Sequence, residues 1–234
     1  MLNIKYLIKK TLKWLDYHIG FRHWLSSEPG QSLDTTLLSG EKELDYGWVI
    51  GHAGVGPGKA LDVGCLNSPI SSILVSLGFE VTGIDLRPYI QYTLDNFSFI
   101  NDDFSRIQLL DLTYDLIVLC STVEHIGLLG RYENRDDQDG DLLAMKKVFR
   151  LLKPKGVCLL TIPIGQDGIY TPWHRIYGKE RLPKLLDQFS IIESRFFIKK
   201  NNMKWSISNL EDALIFKGSG SKYALGQFVL SISG

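Results

Sequence analysis

Apolar and polar positions along the chain keep two periods, and the switches between them predict most of its elements. Leu61 to Val63 are an apolar run that ends in Gly64, Ile70, Ile73, Leu74 and Leu77 recur at helical spacing, and Val81 to Ile84 form a second buried run. The reading is strand, turn, helix, strand. Asn67 or Ser68 can cap that helix, Pro69 suits its first turn, and Gly78 stands where a helix closes with positive φ. Phe97 to Asn101 reads as a third strand. Tyr114 to Cys120 reads as a fourth, with the continuous apolar run of a strand buried on both faces of a parallel sheet. Met145, Val148, Phe149 and Leu152 share one helix face, opposite Lys146, Lys147 and Arg150. Lys153-Pro154-Lys155-Gly156 then predicts a turn, and Val157 to Ile162 a fifth strand. A helix over Lys179 to Phe189 and strand-like stretches at Ile191 to Ile198 and Ala224 to Ile232, with the segments Trp205 to Ile207 and Leu210 to Ile215 between them, complete the chain.

The first residues follow a different pattern. Ile4, Leu7, Ile8, Leu12, Leu15 and Ile19 fall on one helical face and Lys5, Lys9, Lys13 and Asp16 on the other, which gives residues 1–30 the character of a basic amphipathic helix. Such a helix packs on its own domain as a lid or lies on an anionic membrane surface through residues 1–25. Lysines break its apolar runs, so it predicts neither a membrane-spanning segment nor a secretory signal, and a cytoplasmic protein is expected. Ser26 to Gly58 is turn-rich, and His52 among its glycines reads as a solvated side chain or a ligand contact. Residues 31–234 then form one α/β domain.

Composition narrows the partners. In 234 residues, 26 basic side chains balance 26 acidic ones, so a broad electrostatic grip on nucleic acid is not expected. Cys65, Cys120 and Cys158 lie in or beside apolar runs without metal-ligand spacing and read as reduced core residues. Glu133, Asp136, Asp137, Asp139 and Asp141 fall in a polar insertion whose order is not that of a calcium loop. A solvated loop, with Asp139 or Asp141 capping the following helix, is expected, and no metal is assigned.

A strand that feeds a tight turn into a helix N-terminus is a place to lay a polar ligand, and a carboxylate some twenty residues on suits ribose hydroxyls. Gly64-Cys65-Leu66-Asn67-Ser68 lacks the glycines a pyrophosphate needs, which disfavours NAD. Asp62 before Gly64, with Asp85 ending the second strand, instead resembles the first two motifs of class I S-adenosylmethionine-dependent methyltransferases. "FRLLKPKGVCLLTIP" resembles their late motif, and the likeness covers about residues 59–165. With "DGDLLAMKKVFRLLKP", "TIPIG" and "HRIYGKERLPKLLDQF", the chain resembles the domain-of-unknown-function 268 group and its bacterial relatives, several of which lie among surface-polysaccharide genes.

The resemblance implies a Rossmann-like, seven-stranded sheet with helices on both faces and S-adenosylmethionine as cofactor. It places Asp62, Gly64, Cys65, Asp85, Leu86, Asp103, Phe104, Ser121 and Glu124 around that cofactor, with Asp85 on the ribose and Asp103 on the adenine. Ser121-Thr122-Val123-Glu124-His125 would cross the methyl donor. A neutral hydroxyl is a poor nucleophile, so a histidine base suits that place, and His125 is the candidate. Tyr170, Trp173, His174 and Arg175 suit an acceptor wall, where rings stack on sugar or aromatic faces and arginine holds an anion. The expected activity is O-methylation of a sugar or saccharide-containing intermediate. The alternatives are a small phenolic or quinone-like acceptor, or a non-catalytic partner protein that keeps the fold. Asp102 or Asp103 capping a turn, and His174 and Arg175 anchoring their loop, remain the plain structural readings of those residues.

Overall fold

The computed structural model describes residues 41–88, 94–129, 136–170, 174–200, 204–217 and 223–232. The amphipathic segment 1–30, the boundary at 31 and Trp173 lie outside them. The compact unit that carries the described residues is Leu38–Gly234. It is built on an eight-stranded sheet whose strands are β1 (Gly58–Val63), β2 (Phe79–Asp85), β3 (Phe97–Asn101), β4 (Tyr114–Cys120), β5 (Leu152–Ile164), β8 (Ser190–Lys200), β9 (Lys204–Ser208) and β10 (Ala224–Ser231). A hairpin of β6 (Gly168–Tyr170) and β7 (His174–Ile176) stands apart from it. The sheet order is β3-β2-β1-β4-β5-β10-β8-β9, parallel from β3 to β5 and antiparallel beyond. The chain reverses its direction of travel across the sheet between β1 and β4, which leaves a crevice at their carboxyl ends.

Continuous apolar strands arise because both faces of the sheet are covered. Leu61, Ile117, Leu119, Cys158 and Leu160 enter one core, with α3 (Gly140–Leu151) and α4 (Arg181–Leu186) on their side. Ala60, Leu116, Val118 and Leu159 enter the other, against Trp48 and Val49 of α1 (Glu41–His52) and Ile70 and Leu74 of α2 (Ile70–Ser76). The α/β sheet with helices on both faces is therefore as expected, with one strand more than seven. The addition is the edge strand β9, which pairs only with β8.

Other differences have local causes. The turn-rich reading before Gly58 gives way to helix α1, because burial of Trp48 and Val49 on the sheet outweighs the weak helix propensity of Gly47 and Gly51. In that helix His52 is partly buried, with Nδ1 2.7 Å from the Trp48 carbonyl and Nε2 3.3 Å from Glu193, and it does not line the cleft at the strand ends. Lys153–Gly156 does not separate α3 from its strand: β5 starts at Leu152, and the excess chain is taken up as a bulge opposite Tyr114 and Leu116, with Lys155 at φ 70. Helix α4 is shorter than the 179–189 expected. Residues 136–139 are exposed, as a solvated loop should be. Of the two residues expected to cap α3, Asp139 holds the N-cap position without a side-chain hydrogen bond, and Asp141 is fully buried, accepting from Tyr177 Oη at 3.0 Å and Arg181 Nε at 2.9 Å. A final helix, α5 (Leu210–Ile215), is capped by Asn209, which accepts from Asp212 N at 2.8 Å.

Candidate functional site

A cleft of about 310 Å³ opens at the carboxyl ends of β1, β2 and β4, at the switch point of the sheet. Its floor is the turn after β1. Gly64 sits at φ 77, and a Cβ there would meet Thr122 Oγ1 at 2.6 Å, so this position needs glycine on both counts. The other two glycines of the usual motif are not needed for the turn to close, since Asn67 takes the left-handed conformation at φ 64. Ser68 Oγ accepts from Ile70 N at 3.1 Å and caps α2, one of the two residues expected to do so.

The predicted cofactor and acceptor residues that the structure describes are brought together with two exceptions, one in each set. Asp62 lies on the floor, but its carboxylate accepts from Ser71 Oγ at 2.6 Å and pins α2 to β1. Burial raises its pKa to about 6. Asp85 ends β2 in the cleft, Leu86 and Asp103 line it, and Phe104 lies against it with its ring under Lys147 Nζ at 4.7 Å. Asp103 also closes a local turn, accepting from Ser105 N at 2.8 Å and Arg106 Nε at 3.2 Å, so the turn-capping reading applies to it. Cys65 is the first exception. Its sulfur packs against Gly83 inside the sheet, and burial pushes its thiol pKa up.

The opposite wall is the loop after β4 and what packs on it. Ser121 holds φ 49, an uncommon conformation for a residue with a side chain, while its hydroxyl donates to Asp45 Oδ2 at 2.9 Å. Glu124 is 2% exposed, and its Oε2 has no hydrogen-bond partner among the described residues. Burial raises its pKa to about 8, so it is largely a neutral acid at pH 7. His125 follows, with Nε2 3.7 Å from Glu124 Oε1 and its ring edge-on to His174 at 6.3 Å. Tyr170 and Tyr223 stand 5.9 and 5.2 Å from the His174 ring.

Arg175 is the second exception and a correction. It does not face the cleft as an acceptor contact: it is fully buried, and its guanidinium donates to the carbonyls of Ile126 at 2.5 Å, Asp137 at 3.0 Å and Gln138 at 3.3 Å. Its Nε lies 3.7 Å from Asp141, so it clamps the loop that follows His125. The loop-anchor reading holds for Arg175, while His174 lines the cleft.

Several cleft residues were not foreseen. Glu41, Lys42 and Tyr46 come from α1, with Asp45 buried behind them at a pKa raised to about 6 by burial and by Glu41. Glu41 and Asp45 stand one helical turn apart, a spacing that could have marked a polar face. Tyr223 donates its hydroxyl to Glu41 from the far end of the chain, for which no sequence signal exists. Arg87, two residues after Asp85, also lines the cleft. Acids therefore outnumber bases around the opening, which suits a cationic ligand.

Comparison with known proteins agrees with this architecture. The structure superimposes on Burkholderia thailandensis 1,6-didemethyltoxoflavin-N1-methyltransferase, solved with its substrate and S-adenosylhomocysteine, with TM-score 0.56 at 13% identity over 98% of this chain and 89% of that one. A TehB-like SAM-dependent methyltransferase from Corynebacterium glutamicum gives 0.52 at 17% identity over 99% and 100%. The fold is that of class I methyltransferases. In sequence, the proposed methyltransferase YqeM of Bacillus subtilis (strain 168) is 31% identical over 112 residues, 45% of this chain and 42% of that protein, so the likeness spans about two-fifths of its length. Residues 80–221 match the family described as "Caenorhabditis protein of unknown function, DUF268".

Proposed function

The chain belongs to the DUF268 family, and from that premise we propose that it is an S-adenosylmethionine-dependent methyltransferase acting on a hydroxyl of a sugar or saccharide-containing intermediate. The observation that carries the reading is one continuous cleft, with Gly64, Asp85 and Asp103 on one side and Glu124, His125 and His174 on the other. The residues fit the cofactor: a Cβ at Gly64 would fill the cradle, Asp85 ends β2 where ribose hydroxyls are received, and the buried Glu124 oxygen is an acceptor in want of a donor. In this arrangement Asp85 holds the ribose, Asp103 and Phe104 the adenine, and Glu124 the amino group.

A bound cofactor would supply a methyl group on positively charged sulfur, transferable to an acceptor oxygen with sulfur keeping the bonding pair. His125 takes the proton the hydroxyl loses, and Glu124 beside it, a weakened acid because it is buried, remains neutral until a cation draws it into ionisation. His174, backed by Tyr170 and Tyr223, offers ring faces and edges to the acceptor. Arg175 is committed to the loop, so among the described residues it is His174 and the tyrosines, rather than this arginine, that would meet an acceptor.

Calorimetric titration with S-adenosylhomocysteine, run on the natural protein and on Asp85→Ala, tests the cofactor. Micromolar binding, about 8 kcal/mol, that the substitution abolishes is expected. Transfer of labelled methyl to neutral saccharides but not to phenols, lost in His125→Gln, would then support the acceptor. Absence of binding would leave a non-catalytic member of the fold.

A further inference from the structure

The carboxylate of Asp85 is already fully engaged by its own chain. Oδ2 accepts from Leu66 N at 3.1 Å and Oδ1 from Arg87 N at 3.0 Å. The Arg87 guanidinium then donates Nε to Oδ1 and Nη2 to Oδ2, both at 3.0 Å. A carboxylate has about four lone-pair positions, so none remains for a ligand. The two backbone donors are fixed by the turn and the strand end. The two guanidinium donors are not, because the Arg87 side chain is 38% exposed at the cleft and reaches Asp85 over a flexible stem.

We infer that Arg87 is an internal stand-in for the ribose diol and sets the affinity and selectivity of the cofactor site; this rests on the methyltransferase reading. A guanidinium edge and a vicinal diol present the same thing to a carboxylate, two parallel donors. Ribose hydroxyls therefore replace Nε and Nη2 one for one, and the guanidinium turns out to solvent while also releasing the Leu66 carbonyl, 3.2 Å from Nη2. The exchange returns less than a diol gains at an open carboxylate, since a charge-assisted pair is given up for it. A ligand without the ribose hydroxyls leaves the arginine pair in place and gives nothing up for it, so the arginine narrows the advantage of the intact diol.

The test is titration of the full chain, natural and as Arg87→Met and Arg87→Lys, with S-adenosylhomocysteine, adenosine and 2′,3′-dideoxyadenosine. The expected result is S-adenosylhomocysteine binding about tenfold tighter in Arg87→Met, with the advantage of adenosine over its dideoxy analogue growing by a similar factor. Arg87→Lys, a charge without the fork, should fall between. Thermal unfolding of the three proteins checks that all are folded. Equal affinities in all three, or weaker binding in Arg87→Met, would overturn the inference and leave the cofactor assignment standing. If no protein bound either S-adenosylhomocysteine or adenosine, the methyltransferase reading would fall and the inference with it.

Discussion

Two arginines border this cleft, and their surroundings give them opposite parts. Arg175 has no exposed surface and spends its guanidinium on three carbonyls and a buried carboxylate. Arg87 is over a third exposed, and its contacts at the lip include the Asp85 carboxylate and the Leu66 carbonyl. By residue type Arg175, among aromatic residues after the fifth strand, had the better claim to hold a ligand. The difference teaches that a guanidinium can serve a ligand only where giving up its partners costs little, and that burial decides this.

The largest test of the contrast is mechanical. Arg175→Met should lose about 3–5 kcal/mol in urea unfolding, because the buried Ile126 carbonyl loses its guanidinium donor, Asp137 and Gln138 each lose one of two donors, and Asp141 is left with less compensation. Arg175→Lys should recover only a minor part, as one ammonium cannot reach three carbonyls from that geometry. A loss of under 1 kcal/mol would make the two arginines equivalent and break the comparison.

The wall that Arg175 clamps also carries the strongest pH effect. Glu124 has its pKa raised from 4.5 to about 8 by burial, so the folded protein keeps a proton that the unfolded chain has released. Stability is then fully present below pH 4.5, falls as pH rises, and levels off above about 8. Asp45 and Asp62, raised from 3.8 to about 6, act in the same direction but finish earlier. Glu124→Gln should remove the part of the decline between pH 6 and 8, on the order of 3 kcal/mol, read as urea midpoints across that range. The same ionisation should make S-adenosylmethionine bind more tightly at pH 9 than at pH 6 in the natural protein and equally at both in the variant.

The two walls also differ in how far the sequence discloses them. Gly64, Asp85, Leu86, Asp103 and Phe104 sit at the ends of consecutive strands, and periodicity places strand ends directly. Short-range order carries that wall. The α1 face with Glu41 and Asp45 was hidden because two glycines mask the helix, and its burial comes from packing on α2, β4, β5 and β10. Tyr223 and Glu41 meet from opposite ends of the chain, a pairing that only the completed sheet creates. Arg175 was misjudged for the same reason: its neighbours in space, Ile126 and Asp137, are far from it in sequence. Cys65 fails more simply, since alternation along a turn does not say which way a side chain leaves it.

Gly64→Ala sharpens the contrast from the legible side. The left-handed backbone at φ 77 costs a side chain about 1–2 kcal/mol, and the contact with Thr122 adds to it. We expect a loss of about 2 kcal/mol with S-adenosylhomocysteine binding abolished. Adding Thr122→Ala should return the steric share of stability and leave the backbone share, because the substitution clears Oγ1 and Cγ2 but not φ. Full recovery in the double variant would mean that the turn can change its conformation and that glycine is needed there for space alone.

The smallest effect bears most directly on the two arginines. Without ligand, Arg87→Met should change stability by less than about 1 kcal/mol, since the arginine end of the pair is 38% exposed and loses to solvent and side-chain entropy most of what it gains in attraction. Asp85 keeps Leu66 N and Arg87 N after the change, so no buried carboxylate is stranded. An Asp85→Asn, Arg87→Met double cycle, run in denaturant with and without S-adenosylhomocysteine, separates pairing from ligand competition. Coupling should be small and stabilising without ligand. With ligand the Arg87→Met single variant should become the more stable protein, because a ligand that no longer displaces a guanidinium stabilises the folded state by its whole affinity. A coupling near that of a buried pair would put Arg87 with Arg175, as part of the frame rather than a group that yields to a ligand.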